Sequence, residues 1–287
     1  MAKRSRVLNY EKKNTVIHEL SGFTKLIFFL TWSLASMLTY DTIVLFVMLI
    51  LGFVIFAASK TRWDQVGTVF WFILLFLCIN VTAIFFFSPY EGCGIYNQKT
   101  VICHLFGRYD LTREQLFYEM NIILKYFTFI PAVFIFLVTT DPSELAASLN
   151  RAGLNYNICY SFALALRYIP DVQNDFRKIK NASQARGIEM SKKAGLFKRI
   201  RETSSIIFPL VFSSMDRIDT ISNAMELRGF GKHKKRTWYS ARPLLRNDYI
   251  AIAFFVLFFA ASMIYTYHDG SRFCNAVFDP YFMSTTL

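Results

Sequence analysis

Long apolar stretches alternate along the chain with one extended amphipathic region. Residues 42–59, 66–88 and 249–267 contain no charged side chain, and each is about long enough to cross a hydrocarbon core of ~30 Å as a helix. Two shorter apolar stretches, 26–40 and 126–140, continue into flanking apolar residues. The pattern predicts an all-α, multi-pass membrane protein with about five transmembrane helices.

The region between Asp141 and Arg246 has a different pattern. A Pro-Ser-Glu sequence after Asp141 predicts the start of a short helix that continues to about Asn150. Two long runs with apolar spacings of three and four follow, which predicts two amphipathic helices. The first apolar stripe comprises Phe162, Ala165, Ile169, Val172, Phe176 and Ile179, and the second Ile200, Thr203, Ile207, Leu210, Ser214, Ile218, Ile221 and Met225.

Composition and charge place these segments relative to a membrane. The chain has 287 residues, of which 54% are hydrophobic and 18% are charged, against roughly 25% charged residues in soluble domains. Of its 32 Lys and Arg, six lie in residues 1–25 and nineteen between 141 and 247. The positive-inside rule therefore predicts a cytoplasmic N-terminus, a cytoplasmic 141–247 region and an extracytoplasmic C-terminus.

These predictions divide the chain into three regions. Residues 1–140 form an N-terminal membrane region of about four spans, 141–247 form the cytoplasmic region, and 248–287 form the last span and an outer tail. Cys93 and Cys103 fall in the predicted outer loop, where either a disulfide or two free thiols is expected.

One short pattern occurs twice in the 141–247 region. The segments 182–188 and 224–230 each contain an alanine, three further residues, Arg-Gly and a large apolar residue. Two explanations remain open. A basic residue followed by glycine commonly ends a helix, because the cation complements the helix dipole and glycine adopts the left-handed cap. Alternatively, the two arginines extend their apolar stripes and contact a partner.

The order of these motifs resembles a known family. Asp-Pro-Ser-Glu-Leu at 141–145, Leu-Arg-Tyr-Ile-Pro at 166–170, Gln-Ala-Arg-Gly at 184–187 and Ala-Met-Glu-Leu-Arg-Gly-Phe at 224–230 look like the transmembrane T component of energy-coupling factor (ECF) transporters, which import vitamins and metal ions. In that family the second signature is usually Ala-Arg-Gly, and Leu227 replaces the alanine here.

The resemblance implies the partners and the contact residues. Two cytoplasmic ATP-binding cassette ATPases would receive the ends of the amphipathic coupling helices, through Ala185, Arg186, Gly187, Leu227, Arg228 and Gly229. A membrane-embedded S component would bind the substrate and rest on the apolar faces of these helices. The chain would be a non-catalytic scaffold in the lipid bilayer, with no cofactor, no metal and no nucleic acid as a partner.

Two other functions are weighed against this one. An integral membrane enzyme with a cytoplasmic interfacial site would use Asp216 and Asp219, but these flank Arg217 on a helix and suit a surface ion-pair patch better. A stand-alone channel or carrier would place ionisable residues within several spans, and these spans are nearly free of them. The sequence contains no phosphate-binding Gly-x-x-x-x-Gly-Lys-Ser/Thr loop.

Overall fold

A computed structural model describes residues 15–61, 63–96, 99–106, 109–187, 195–232, 237–238, 241–268 and 273. Helices dominate this part of the chain, and its sheet is a single two-stranded hairpin. The all-α class is therefore confirmed. The elements are α1 (Val16–Glu19), α2 (Gly22–Leu38), α3 (Thr42–Ala58), α4 (Trp63–Phe87), α5 (Glu91–Tyr96), β1 (Val101–Phe106), β2 (Tyr109–Thr112), α6 (Arg113–Thr139), α7 (Pro142–Arg151), α8 (Tyr156–Ala185), α9 (Leu196–Leu227) and α10 (Arg246–Tyr267).

Short polar residues fix the starts of the membrane helices. Ser21 accepts a hydrogen bond from the backbone N–H of Thr24, three residues into its helix, and Asp41 accepts one from Ile43. The Thr112 hydroxyl does the same for α6. Each side chain satisfies a backbone donor that has no partner inside the helix.

All five predicted apolar stretches fold as helices. Three are long and apolar enough to cross a membrane, namely Val66–Phe87, Arg113–Thr139 and Arg246–Tyr267. Helices α2 and α3 have 17 residues each, which is near the lower limit for a span. Helix α6 starts at Arg113, well before the apolar stretch at 126, because buried polar side chains in its first turns find partners: Gln115 accepts from the Gly92 N–H at 2.9 Å and donates to Glu119 at 3.0 Å.

The chain divides into two compact units. The first, called the membrane unit, comprises Met1–Asp141 and Arg242–Leu287, and the second comprises Pro142–Ala241. The core of the membrane unit lies between α2, α3 and α6, around Phe28, Trp32, Ala35, Val44, Met48, Ala132 and Ile135. Trp32 donates to the Thr128 carbonyl at 3.1 Å, and the Thr128 hydroxyl donates to the Leu45 carbonyl at 3.3 Å, so polar contacts also connect these three helices.

The predicted outer loop, 89–112, is more ordered than its sequence suggests. It contains α5 and the β1–β2 hairpin, whose strands are antiparallel with two irregularities in their register. Cys93 and Cys103 are both free thiols, so the structure contains no disulfide between them. The Cys93 thiol donates to the Thr112 hydroxyl at 3.3 Å instead. Cys274 lies outside the described residues.

A polar cluster holds the hairpin. The Asp110 carboxylate lies 2.6 Å from His104 Nδ1 and 3.3 Å from Lys99 Nζ, and it accepts a hydrogen bond from the Tyr90 hydroxyl at 3.0 Å. The hydrogen bond to His104 lowers the pKa of Asp110, helped by Tyr90 and Lys99 and opposed by partial burial. Asp110 therefore stays charged well into the acidic range.

Lys125 directly precedes the apolar stretch 126–140. Its ammonium group donates to the Met37 carbonyl at 3.0 Å and lies 3.1 Å from the centre of the Tyr40 ring, which keeps it at the end of α2. Asn80 lies within the apolar stretch 66–88, and its side-chain amide forms no hydrogen bond with any residue that the structure describes.

Candidate functional site: two exposed Arg-Gly helix ends

The first repeated motif ends α8. Ala185 is the last helical residue, Arg186 is the C-cap, and Gly187 has a φ of +87°. The Gly187 N–H donates to the Gln184 carbonyl at 3.0 Å, so a left-handed glycine closes the helix as the cap explanation requires. Ile188, the apolar residue of this motif, lies outside the described residues.

The second motif ends α9 in the same way. Leu227 is the last helical residue, Arg228 is the C-cap, and Gly229 has a φ of +71°. The Gly229 N–H donates to the Glu226 carbonyl at 2.8 Å, and the Phe230 N–H reaches back to the Met225 carbonyl at 2.9 Å. These are the two hydrogen bonds of a Schellman motif.

The glycines are required by backbone conformation and not by lack of space. A Cβ added to Gly187 or to Gly229 would meet no atom within 4 Å. Left-handed backbone costs about 1–2 kcal/mol for a residue that carries a Cβ. The predicted cap role of both glycines is therefore confirmed.

The side chains at these ends point away from the described structure. Arg186 and Arg228 are exposed, and neither guanidinium has a hydrogen bond or ion pair with any described residue. Leu227 is 90% exposed, and Ala185 is exposed as well. Each helix end thus presents a cation and an apolar side chain that the described part of the chain leaves exposed.

An aromatic cluster fixes the end of α9. The Phe230 ring lies 4.8 Å from that of Tyr160, and the Trp238 ring lies 5.3 Å from that of Tyr156. The Trp238 indole also donates to the Asn150 side chain at 3.0 Å. The large apolar residue after the second Arg-Gly therefore anchors this helix end to the start of α8. Sequence reasoning identified Phe230 but missed its three aromatic neighbours.

A partly exposed ion pair connects α8 to α9. Asp175 accepts a hydrogen bond from Arg217 at 2.5 Å and lies 3.5 Å from Lys178, and the Arg217 guanidinium lies 6.0 Å from the centre of the Tyr168 ring. The prediction that Arg217 belongs to a surface patch with Asp216 and Asp219 is wrong, because Arg217 faces α8.

The packed face of α9 overlaps the predicted stripe in part. Ile206 is only 2% exposed, whereas Ile207 is 49% and Ile218 is 62% exposed. The residues that turn inwards are Thr203, Ile206, Leu210, Ser214, Arg217, Ile221 and Met225. Five of the eight predicted stripe residues therefore turn inwards, whereas Ile200, Ile207 and Ile218 are exposed. Apolar residues also cover the neighbouring side of the helix, on which these three lie.

That neighbouring side is a second apolar surface, here called the open face of α9. Its members are between 48% and 92% exposed: Phe197, Ile200, Ile207, Phe208, Val211, Phe212, Met215 and Ile218. A soluble monomer rarely exposes a contiguous apolar strip of this kind without a function for it. The open face therefore indicates a protein or membrane contact.

Comparisons with known proteins agree with this architecture. A family model for cobalt transport proteins, CbiQ, matches residues 13–239. The chain belongs to this family. The match covers both Arg-Gly ends and the helices α2 to α9.

Curated relatives of this CbiQ-family chain carry the ECF name. It is 26% identical over 212 residues to the energy-coupling factor transporter transmembrane protein EcfT of Leuconostoc gelidum subsp. gasicomitatum, covering 70% of this chain and 74% of the relative. It is 24% identical over 239 residues to EcfT of Macrococcus caseolyticus, covering 74% and 88%. A Bifidobacterium longum protein described as a putative ABC transporter ATP-binding protein is 31% identical over 135 residues, covering 44% of this chain and 17% of that protein. The predicted identity as an ECF transmembrane component is confirmed.

Proposed function

We propose that this chain couples ATP hydrolysis by two cytoplasmic ATP-binding cassette subunits to the movement of a membrane-embedded S component that carries a vitamin or a metal ion. The observation that supports this most directly is the pair of exposed arginines, Arg186 and Arg228, at two capped helix ends. Membership of the CbiQ family and the similarity to EcfT proteins support ATPases and an S component as its partners.

The chemistry of the two helix ends suits an acidic groove. A guanidinium group can hold a carboxylate by two parallel hydrogen bonds, and each charge-assisted bond is worth about 1.5–3 kcal/mol when shielded from water. Because neither Arg186 nor Arg228 has a partner among the described residues, docking breaks no interaction with that part of the chain. The ATP-binding name of the Bifidobacterium longum relative supports a close association between this family and ABC ATPases.

The open face of α9 is the surface that we assign to the S component. Its aromatic and aliphatic side chains would be covered by a membrane protein whose own contact surface is apolar. On this assignment, α9 carries both functions: its side supports the S component, and its end at Arg228 contacts an ATPase.

The orientation can be tested by thiol labelling. Cys159 is a poor probe, because it is 1% exposed and burial raises the pKa of its thiol. A Ser205→Cys substitution on exposed α9 is a better inner probe, and Cys103 is an exposed outer one. With a membrane-impermeant maleimide on intact cells, Cys103 should react, and the Ser205→Cys variant should gain labelling only after permeabilisation. Extra labelling of that variant in intact cells would reverse the predicted topology.

The function itself is tested by reconstitution. The chain should copurify with the two ATPases and the S component of its own organism, and proteoliposomes holding all of them should take up the S component's ligand only with ATP. The matched control omits only this chain. Saturable binding of the ligand by the purified chain alone would contradict the scaffold role and favour a stand-alone carrier.

A further inference from the structure

Three helix termini of the membrane unit meet around two buried charges. Lys25 on α2 is 3% exposed, and Asp248 on α10 is 1% exposed. The third terminus is the end of α6 at Thr139. Here the group formed by His18, Ser21, Thr24, Lys25, Thr139, Arg242, Leu245 and Asp248 is called the junction.

Asp248 joins the starts of two helices. Its Oδ1 accepts from the Ser21 N–H and from the Thr24 hydroxyl, both at 2.8 Å, and its Oδ2 accepts from the Leu245 N–H at 2.9 Å. Ser21 is the N-cap of α2 and Leu245 is the N-cap of α10. A single carboxylate thus binds free backbone donors at two helix N-termini, where the helix dipole favours negative charge.

Lys25 binds the end of the third helix. Its ammonium group donates to the carbonyl of Thr139, the last residue of α6, at 2.8 Å and to the carbonyl of His18 at 3.3 Å. Arg242 donates to the same His18 carbonyl at 3.1 Å. A cation at a helix C-terminus is the complementary arrangement, because unpaired carbonyls and the negative end of the dipole meet there.

The junction lies next to both connections between the two units of the chain. The chain leaves the membrane unit after Asp141 and returns at Arg242. Thr139 lies two residues before the first connection, and Arg242 is the first residue after the second. The first connection therefore starts two residues after a carbonyl that Lys25 binds, and the second ends three residues before the Leu245 N–H from which Asp248 accepts a hydrogen bond.

We propose that Lys25 and Asp248 are positioning residues for energy coupling, which fix both connections to α2, α6 and α10 so that a displacement of the second unit moves these helices as one body. The proposal rests on the proposed function. Without these two charges, the same displacement would fray the helix ends, because unsupported terminal turns open most easily. Neither residue contacts an ATPase or a substrate in this scheme.

The test uses the full chain with its ATPases and S component in proteoliposomes. Lys25→Met and Asp248→Asn remove the charges at nearly constant size, and Thr24→Val removes only one donor to Asp248 as a milder change. Glu91→Gln is the matched control, because Glu91 is an exposed carboxylate on α5. Two quantities are measured: hydrogen exchange of peptides covering 18–25, 139–141 and 242–248, and the number of ligands taken up per ATP hydrolysed.

Lys25→Met and Asp248→Asn should raise exchange at the junction about ten-fold or more, since each removes a charge-assisted hydrogen bond. In these two variants, uptake per ATP should fall by a similar factor while ATP hydrolysis continues. Lys25→Arg should restore part of the uptake per ATP, and Thr24→Val should lower it less. Glu91→Gln should match the wild type. Unchanged exchange would contradict the proposed support of the helix ends by Lys25 and Asp248. Faster exchange with unchanged uptake per ATP would contradict the coupling role. A parallel loss of hydrolysis and uptake counts as this second result, because it leaves their ratio unchanged. Failure of the wild-type complex to transport would instead count against the proposed function.

Discussion

Alanine substitutions within the two Arg-Gly ends should separate the cap role from the contact role. Arg186 and Arg228 have no hydrogen bond or ion pair with any described residue. Within that part of the chain each contributes to folding through the helix dipole, about 0.3–1 kcal/mol. In an acidic groove, each would lose about 1.5–3 kcal/mol of binding free energy on truncation, or roughly a ten- to 150-fold loss of affinity per arginine.

The glycines should show the opposite behaviour. Gly187 and Gly229 have φ values of +87° and +71°, so alanine there should destabilise each helix end by about 1–2 kcal/mol without removing a charge. Since no atom lies within 4 Å of either added Cβ, strain and not a clash is the cause.

Two measurements on the same purified variants test this reasoning. Thermal unfolding of the chain in detergent should be nearly unchanged for Arg186→Ala and Arg228→Ala, and lowered for Gly187→Ala and Gly229→Ala. Affinity for the immobilised ATPase subunits should fall steeply for the arginine variants, and Arg→Lys should recover only part of it, because an ammonium group lacks the planar fork. If the double arginine variant binds the ATPases as the wild type does, the motif is a helix cap and nothing more.

Three further predictions concern the supporting structure. Gly92→Ala should destabilise the chain by about 1–3 kcal/mol in thermal unfolding, because the new Cβ would lie 2.5 Å from a backbone oxygen, whereas Gly94→Ala has no atom within 4 Å and should have little effect. A double-mutant cycle on Asp175→Asn and Arg217→Gln should give a coupling energy of at most about 1 kcal/mol, since both side chains are partly exposed. A value near zero would show that this pair does not stabilise the α8–α9 contact. Because the pKa of Asp110 is lowered, its stabilising effect on the hairpin is complete above the ordinary carboxyl pKa of about 4 and is lost only as the pH falls through the lowered value. Hydrogen exchange should therefore show no loss of hairpin stability from this carboxylate between pH 7 and 5. Asp110→Asn should remove the loss of stability at lower pH.

Much of the fold follows from local pattern. The five apolar helices, the short helix α7 and the two capped ends all depend on residues close together in sequence, such as Asp41 before α3 or Gly187 after α8. Hydropathy and capping chemistry are sufficient for such features. The hairpin at 101–112 was missed because its strands are short and irregular and have no alternating apolar pattern.

Contacts between distant segments were not predictable in the same way. On α9, apolar residues cover more than one side, so periodicity locates an apolar surface but does not show which part of it packs. Ile206 and Ile207 are adjacent and chemically identical, yet one is buried and the other is open. The Asp175–Arg217 pair and the contact of Trp238 with Tyr156 likewise depend on how α8 and α9 pack, which no local pattern encodes.

The cap and the partner contact are compatible because they use different atoms of one motif. The glycine backbone ends the helix through its left-handed φ, and the preceding guanidinium remains outside the hydrogen bonds of the cap. Leu227 supports this division, since it stands where the resemblance implies an alanine and is 90% exposed. Its side chain packs against almost nothing in the described part of the chain, which leaves it available to a partner. A capped helix end holds the arginine at a fixed position, and this lowers the entropy lost when it docks.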